Sequence, residues 1–167
     1  MDFALSEEQT AIFDMAHDFG AEHIAPFARQ WEADGTIPKA LWPKLAELGF
    51  AGLYVPEESG GTGLSRLDAT LVFEALSMAC PSVAAFLSIH NMCAKMIDSF
   101  GSDALKEKYL ARALSMDIVL SYCLTEPASG SDAAALKTRA TRTNSGYNLT
   151  GTKAFISGGG YSDAYLV

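Results

Sequence analysis

Hydrophobic and polar residues alternate with helical periodicity through the first two thirds of the chain. Ser6 and Gln9 have the spacing of a capping box, which marks the start of a first helix. Apolar residues then recur at roughly helical spacing, as expected for one buried face: Ile12, Ala16, Phe19 and Ile24. Pro26 is expected to end this helix and begin another, with Phe27 and Trp31 facing inward, and Gly35 closes the pair.

Further helix signals follow as far as residue 117. A short helix is predicted from Pro38 to Leu48, where Gly49 stops it, and the sequence 53–55 is expected to be an extended connection. Ser65 and Asp68 mark the next start, and that helix runs to Pro81. Its apolar face comprises Leu71, Val72, Ala75 and Leu76. Residues 83–100 and a segment capped by Ser102 complete an all-helical bundle over residues 1–117.

The pattern changes to that of strands after residue 117. Short β-type runs separated by Gly, Asn and Ser occur at 118–124, 138–143, 147–150, 154–156 and 164–167. The predicted fold class is therefore α+β: a helical domain (1–117) followed by the start of an antiparallel β-barrel or sandwich (118–167). Four or five strands would leave unpaired edges, so the second domain is interpreted as incomplete and the chain as a fragment.

Composition and charge exclude several classes of function. The formal net charge is −8, which opposes binding of nucleic acid. Three widely spaced cysteines without a CxxC pair favour a reducing compartment. The sequence lacks an apolar run of membrane-spanning length and a recognisable targeting segment, so a cytoplasmic protein, or a mature mitochondrial matrix protein, is expected. His17, His23 and His90 lack metal-ligand spacing and are interpreted as core or surface residues.

The candidate chemistry lies in the segment from Tyr122 to Asp132. A β-type run leads into a loop rich in Pro, Gly and Ser, and then into a short helix at 133–136 that Asp132 is expected to cap. The backbone N–H groups of Gly130 and Ser131, with the loop hydroxyls, could bind an anion. An ordinary strand–turn–helix connection would have the same pattern, so the residues alone leave both interpretations open.

Four segments together resemble the acyl-CoA dehydrogenase family. Residues 124–132, LTEPASGSD, are similar to its first signature, and residues 151–157, GTKAFIS, to a later Gly-x-Lys-x-aromatic-Ile-Thr/Ser strand. The N-terminal sequence LSEEQ at 5–9 and the loop VPEESGGTG at 55–63 also match, in the same order. The resemblance covers the whole chain and implies a truncated acyl-CoA dehydrogenase fold. Phe155 and Ser157 stand where relatives more often carry Trp and Thr.

The resemblance implies a flavoprotein oxidoreductase with FAD as cofactor. The residues that would bind FAD are Tyr122, Cys123, Leu124, Thr125, Gly130, Ser131, Phe155, Ile156 and Ser157. Gly130 and Ser131 would contact the pyrophosphate, and Phe155 would pack beside the ring system. Glu126 and Asp132 are interpreted as structural, because carboxylates repel a pyrophosphate.

The resemblance also implies the substrate class and partners. The segment 88–93 is most similar to the isobutyryl-CoA dehydrogenase branch, so short acyl-CoAs, branched ones included, are the expected substrates. Ser131, Ser88 and Met92 are the candidate substrate-binding residues. The family's catalytic glutamate has no counterpart here and is expected downstream of Val167, so the chain alone is expected to be inactive. Electron-transfer flavoprotein is the implied electron acceptor, a homotetramer the implied assembly, and fatty acid or branched-chain amino acid catabolism the implied role.

Two alternatives remain open on the sequence. An acyl-CoA oxidase or a flavin monooxygenase of the same fold would carry the same motifs and would differ in how the reduced flavin reacts with oxygen. A non-catalytic binding module is the alternative from a different class. The downstream reading frame would separate that module from a dehydrogenase.

Overall fold

The computed structural model describes residues 4–167, and six α-helices occur in this part of the chain. They are α1 (Glu7–His23), α2 (Ala28–Asp34), α3 (Leu41–Glu47), α4 (Arg66–Ala79), α5 (Pro81–Phe100) and α6 (Asp103–Leu114). Short 3₁₀ turns occupy Phe50–Gly52, Glu57–Ser59 and Ala133–Ala135. The helical first part that the sequence predicts is confirmed. α3 begins three residues later than predicted, and α5 begins two residues earlier, with Pro81 in its first turn.

The predicted helix starts depend on serine caps, and the structure contains all three. Ser6 Oγ accepts the backbone N–H of Gln9 at 3.1 Å, and Gln9 Oε1 accepts that of Ser6 at 3.1 Å, which completes the capping box. Ser65 and Ser102 cap α4 and α6 through their side-chain oxygens, which accept the N–H groups of Asp68 and Leu105. Gly35 adopts the left-handed conformation (φ 65°) at the end of α2, as its position predicts.

The main core forms where α4 and α5 pack together with α1 and α3. All four apolar residues predicted for α4 are buried. Trp42 of α3 stacks on Phe86 of α5 with ring centroids 4.8 Å apart. Phe27 departs from its predicted inward orientation, because half of its surface is exposed while it stacks on Trp31 at 5.9 Å.

Residues 53–55 do not form the extended connection that the sequence predicts. The 3₁₀ turn at Phe50–Gly52 continues into a turn at Leu53, whose backbone is right-handed (φ −53°, ψ −43°). The buried Asn91 of α5 explains this conformation. Its Oδ1 accepts the N–H of Leu53 at 2.7 Å, and its Nδ2 donates to the carbonyl of Phe50 at 2.8 Å. A side chain 38 residues away thus decides the backbone of this segment.

Four short strands follow the helices: β1 (Leu120–Tyr122), β2 (Arg139–Thr143), β3 (Gly146–Thr150) and β4 (Ala164–Leu166). β2 and β3 form an antiparallel hairpin in which Arg139 pairs with Thr150. β1 and β4 pair in parallel, with Leu120 opposite Ala164, a pairing that differs from the antiparallel arrangement expected throughout. The strand predicted at 154–156 is wrong, because Phe155 has a left-handed backbone (φ 56°) that no strand accommodates.

The first strand is built into the helical part. Ile118 and Leu120 are buried in a second apolar cluster with residues of α5 and α6. Its other buried members are Val55, Cys93, Ala94, Leu110 and Ala113. Strand β1 is consequently fixed against the bundle before the chain enters the loop with the candidate chemistry. Within residues 4–167, no helix combines the length and apolar character required to cross a bilayer.

Candidate functional site

The loop after β1 is closed by a reciprocal pair of backbone hydrogen bonds. Glu126 N–H donates to the carbonyl of Ser129 at 2.8 Å, and Ser129 N–H donates to that of Glu126 at 3.1 Å. The Ser129 hydroxyl donates to the carbonyl of Asp132, which turns the chain toward the 3₁₀ turn at Ala133–Ala135. Asp132 does not cap that turn, contrary to the prediction, because its side chain forms no capping hydrogen bond.

Glu126 holds this loop against the rest of the strand region. Its carboxylate is buried and accepts the N–H groups of Lys137 at 2.7 Å and Thr138 at 2.9 Å, and the ammonium of Lys153 lies at 3.1 Å. The Thr138 side chain first, and then these N–H groups and Lys153, lower the pKa of Glu126 to about 2. Thr138 Oγ1 forms no hydrogen bond of good geometry among the described residues. We therefore attribute the lowered pKa of Glu126 mainly to the two backbone N–H groups. The carboxylate is bound by protein groups, which agrees with its structural interpretation.

Lys153 has a structural role that its sequence context does not reveal. Its ammonium donates to the carbonyl of Leu124 at 2.8 Å as well as to Glu126. It thereby joins the two motif segments, 124–132 and 151–157, through a partly buried ion pair. A lysine between Gly and apolar residues in a candidate strand was the available signal, because a buried ammonium needs a specific partner.

Thr125 is the point where the motif segments meet. Its carbonyl accepts the N–H of Ala154 at 2.9 Å, which brings Phe155 and Ile156 alongside. Its methyl group is the nearest atom, at 3.9 Å, to the position that a Cβ on Gly130 would occupy. The fold therefore places segments that are 20 or more residues apart in the sequence around one threonine.

Several polar groups around Thr125 are left without protein partners. The hydroxyls of Thr125, Ser131 and Ser157 form no hydrogen bond to any described residue, and neither do the N–H groups of Gly130 and Ser131. Gly130, Ser131 and Ser157 are exposed. Free N–H and hydroxyl groups on an exposed Gly/Ser loop are the donors that a phosphate-bearing ligand requires. The arrangement can accept an anion without displacing any protein contact.

The residues at 155–157 form an exposed edge beside this loop. The Phe155 side chain is 95% exposed, and its left-handed backbone directs it away from the core. Ile156 is half-buried and lines a cleft of about 660 Å³, together with Trp31, Trp42, Phe86 and Tyr161. The carbonyl of Ser157 accepts the hydroxyl of Ser121, the buried central residue of β1.

A glycine turn supports this edge from behind. Gly158 has a φ of 81°, and a Cβ there would collide with the hydroxyls of Ser121 and Ser162. The Tyr161 hydroxyl accepts the indole N–H of Trp42 at 2.6 Å and donates to the carbonyl of Ile37 at 2.7 Å. These contacts connect the turn to α3, and the sequence analysis did not predict them. Their only signal was the run of three glycines, which indicated unusual backbone at 158–160.

The remaining candidates of the β1 region differ in exposure. Tyr122 and Leu124 are partly exposed beside the loop, whereas Cys123 is buried and its N–H donates to the carbonyl of Leu166 at 2.7 Å. Burial raises the pKa of the Cys123 thiol, and the nearby Lys153 opposes this. The thiol of Cys123 therefore faces the protein interior rather than an exposed ligand surface.

The candidates for substrate binding are not all brought together. Ser88 lies in a separate groove of about 560 Å³ between α4 and α5, and no residue of the segment 122–157 lines that groove. Its hydroxyl donates to the carbonyl of Ala85 at 2.8 Å. Met92 is partly exposed one turn further along α5, while Ser131 lies in the loop after β1. Among residues 4–167, no group of three metal-ligating side chains converges.

The helical bundle, the loop around Thr125 and the glycine-supported edge define a flavoenzyme-like framework, and comparisons with known proteins identify it. Residues 6–117 match the family model described as "Acyl-CoA dehydrogenase, N-terminal domain", and residues 121–167 match "Acyl-CoA dehydrogenase, middle domain". The chain belongs to the acyl-CoA dehydrogenase family. The family assignment and the fold class expected from the sequence are thereby confirmed.

Individual proteins of known sequence or structure resemble this chain over nearly its whole length. The mitochondrial isobutyryl-CoA dehydrogenase of Dictyostelium discoideum is 51% identical over 98% of this chain, which corresponds to 39% of that protein. The structure of butyryl-CoA dehydrogenase from Megasphaera elsdenii superposes with a TM-score of 0.86 at 37% identity, covering 99% of this chain and 44% of that one. The FAD complex of PigA superposes with a TM-score of 0.88 at 32% identity, covering 99% of this chain and 44% of that one. The chain thus spans about two fifths of the length of these relatives.

Proposed function

We propose that the intact protein is an FAD-dependent acyl-CoA dehydrogenase that forms the α,β double bond of a short acyl-CoA, branched ones such as isobutyryl-CoA included. The observation that carries this proposal is the convergence of both motif segments on Thr125, with their polar groups left free. The family membership of the chain and the names of its relatives support the same activity.

The residues present fit FAD. Gly130 carries no side chain, and the only atom near the position of its missing Cβ is the Thr125 methyl group at 3.9 Å, so the backbone can approach a pyrophosphate closely. The free N–H groups of Gly130 and Ser131 would hold that pyrophosphate, and Thr125, with the edge 155–157, would flank the ring system. Tyr122 and Leu124 are half-buried next to Thr125 and would contact the ring from the strand side. When bound, the flavin would supply a two-electron acceptor for hydride from the substrate β-carbon.

On the substrate side, this chain would supply binding rather than proton transfer. Ser131 would contact the thioester part, and Met92 on α5 would limit the length of the acyl pocket, whereas Ser88 opens into the separate groove between α4 and α5. Glu126 is unsuited as a base that removes the α-proton, because its carboxylate is engaged by three protein donors and has its pKa lowered to about 2. The base would be a glutamate outside this chain.

The proposed partners and compartment follow from the family and from the relatives. Electron-transfer flavoprotein would reoxidise the reduced flavin, and the intact protein would assemble as a homotetramer. A mitochondrial location is supported by the name of the Dictyostelium relative, and a cytoplasmic location would apply in an organism without mitochondria.

The test is expression of the protein from the complete gene, followed by absorbance spectroscopy. We expect a yellow protein whose flavin is bleached under anaerobic conditions by isobutyryl-CoA or another short acyl-CoA. Long-chain acyl-CoAs serve as the control and should bleach it slowly. Bleaching followed by rapid reoxidation in air would indicate an oxidase. A colourless protein, or a flavin that no short acyl-CoA reduces, would refute the proposal.

The variant Ser131→Ala, compared with Ser82→Ala at the exposed start of α5, refines this test. Ser131→Ala removes a free hydroxyl that no described residue binds, so it should weaken FAD or substrate binding without lowering the melting temperature of the apoprotein. Ser82→Ala should change neither. Equal effects of the two variants would contradict the placement of the pyrophosphate at Gly130 and Ser131.

A further inference from the structure

His90 lies in the middle of α5, is fully buried, and has both ring nitrogens hydrogen-bonded. The backbone N–H of Leu120 donates to Nδ1 at 3.1 Å, so Nδ1 carries no proton. Nε2 therefore carries the proton and donates it to the carbonyl of Ala113 at 3.0 Å. Burial holds the imidazole neutral by lowering its pKa to about 4, against a smaller opposing effect of Ala113. One ring thus joins α5, α6 and β1.

Of the three elements that His90 joins, α5 carries Met92, which is proposed for the acyl pocket, and β1 leads into the loop that is proposed to bind the flavin. Ser88 and Met92 stand two positions before and after His90 on α5, and both are partly exposed because residues two apart lie on different faces of a helix. Tyr122 stands two positions after Leu120 on β1, where residues two apart share a face. The imidazole of His90 therefore connects the helix proposed to lie near the acyl group directly to the strand that leads into the flavin loop.

We propose that His90 is a positioning residue that sets the placement of the acyl-binding face of α5 relative to the flavin-binding segment after β1. This inference rests on the proposed function. The hydrogen bonds of His90 go to Ala113 and Leu120 and not to the loop at 125–131, so it acts through the N–H of Leu120. Hydride transfer depends steeply on the distance between the reacting carbon and the acceptor, so a small shift of β1 against α5 lowers the rate without abolishing binding.

Two amide substitutions distinguish the contribution of the hydrogen bond at Nδ1 from that of the hydrogen bond at Nε2. In His90→Asn the side-chain oxygen can occupy the position of Nδ1 and accept the N–H of Leu120, while the contact to Ala113 is lost. In His90→Gln the amide nitrogen can reach the carbonyl of Ala113, while no acceptor faces Leu120. Both variants leave a similar gap in the core, so a purely structural histidine predicts similar losses of stability and of activity in the two.

The experiment compares both variants with the wild type as full-length, FAD-loaded proteins. Measurements are kcat and KM with isobutyryl-CoA, the flavin absorbance spectrum and the melting temperature. We expect His90→Gln to lower kcat about 10- to 100-fold with a smaller change in KM, as for a displacement on the order of 1 Å. His90→Asn should retain a kcat close to that of the wild type, although both variants melt earlier.

Other outcomes would overturn the inference. Equal kcat values in the two variants, or losses of kcat that simply follow the losses in melting temperature, would show that His90 only stabilises the core. A wild-type protein that binds no FAD would instead refute the proposed function, and the inference with it. Should either variant fail to fold, amide hydrogen exchange of the wild type decides. The Leu120 N–H should exchange slowly, and rapid exchange would overturn the proposal.

Discussion

The imidazole of His90 accepts the backbone N–H of Leu120 at 3.1 Å across 30 residues of sequence. This bond satisfies a buried donor at the start of β1, where the helical part of the chain passes into the strand region. The same ring donates to Ala113 at 3.0 Å. A residue that the sequence places among ordinary core or surface histidines thus connects three elements of the fold.

The depressed pKa of His90 predicts a loss of stability in mild acid. The folded state holds the neutral form, with a pKa of about 4 against 6.5 for an ordinary histidine, so the unfolded state binds the extra proton. The stability is complete above pH 6.5 and decreases as the pH falls from 6.5 toward 4. At ~1.4 kcal/mol per pH unit, the decrease approaches roughly 3 kcal/mol.

Urea unfolding of the chain at pH 7 and pH 5 measures this effect. The wild type should lose more free energy of unfolding between these two conditions than His90→Asn, which lacks the buried imidazole. His17→Asn, at a partly exposed position of α1, is the matched control and should keep the wild-type difference. An identical pH dependence in wild type and His90→Asn would refute the prediction.

Replacing Glu126 with Gln should destabilise the strand region at neutral pH. The carboxylate accepts two backbone N–H groups and faces Lys153, and a neutral amide weakens all three contacts. Because the pKa of Glu126 is lowered to about 2, its stabilising contribution is complete above the ordinary value of 4.5 and is lost as the pH falls through about 2. The difference between wild type and Glu126→Gln should therefore be large at pH 7 and vanish near pH 2.

Thermal unfolding monitored by circular dichroism at several pH values tests this behaviour. We expect the melting temperature of Glu126→Gln to fall by several degrees at pH 7. Glu22→Gln, at an exposed position near the end of α1, should melt with the wild type. A constant difference between Glu126→Gln and wild type across the whole pH range would contradict the assigned cause.

Alanine substitutions at two glycines should have different consequences for stability. Gly158 has a left-handed backbone (φ 81°), and a Cβ there would strike two serine hydroxyls, so Gly158→Ala should destabilise the chain by about 1–3 kcal/mol. A Cβ on Gly130 would meet only the methyl group of Thr125 at 3.9 Å, an ordinary contact, so Gly130→Ala should fold with near wild-type stability. Equal stabilities in denaturant titrations would show that the turn at 158 is not constrained.

Removing the Tyr161 hydroxyl should loosen the support of the edge at 155–157. Tyr161→Phe leaves the buried indole N–H of Trp42 and the carbonyl of Ile37 without their partner, at a cost of about 1–3 kcal/mol. Tyr147→Phe on the exposed hairpin is the control for loss of a hydroxyl. Denaturant unfolding followed by tryptophan fluorescence reports on both. A Tyr161→Phe variant as stable as Tyr147→Phe would exclude a role for this hydrogen-bond chain.

The sequence by itself determined the local features of this protein. The serine caps at residues 6, 65 and 102 and the buried face of α4 were predicted because each depends on residues within one or two helical turns. The two motif segments at 124–132 and 151–157 were also recognisable, since they are contiguous. They defined the family and the candidate ligand groups without any knowledge of how the chain folds back.

Only the tertiary structure decided how these pieces meet. Asn91 bends the segment at 53–55, Lys153 joins the two motif segments, and β1 pairs in parallel with a strand 44 residues further on. Phe155 has a left-handed backbone in place of the predicted strand, and the glycine turn after it is anchored to Trp42 through Tyr161. Such contacts are selected by the fit of distant buried groups to one another, and a pattern of neighbouring residues does not encode that fit.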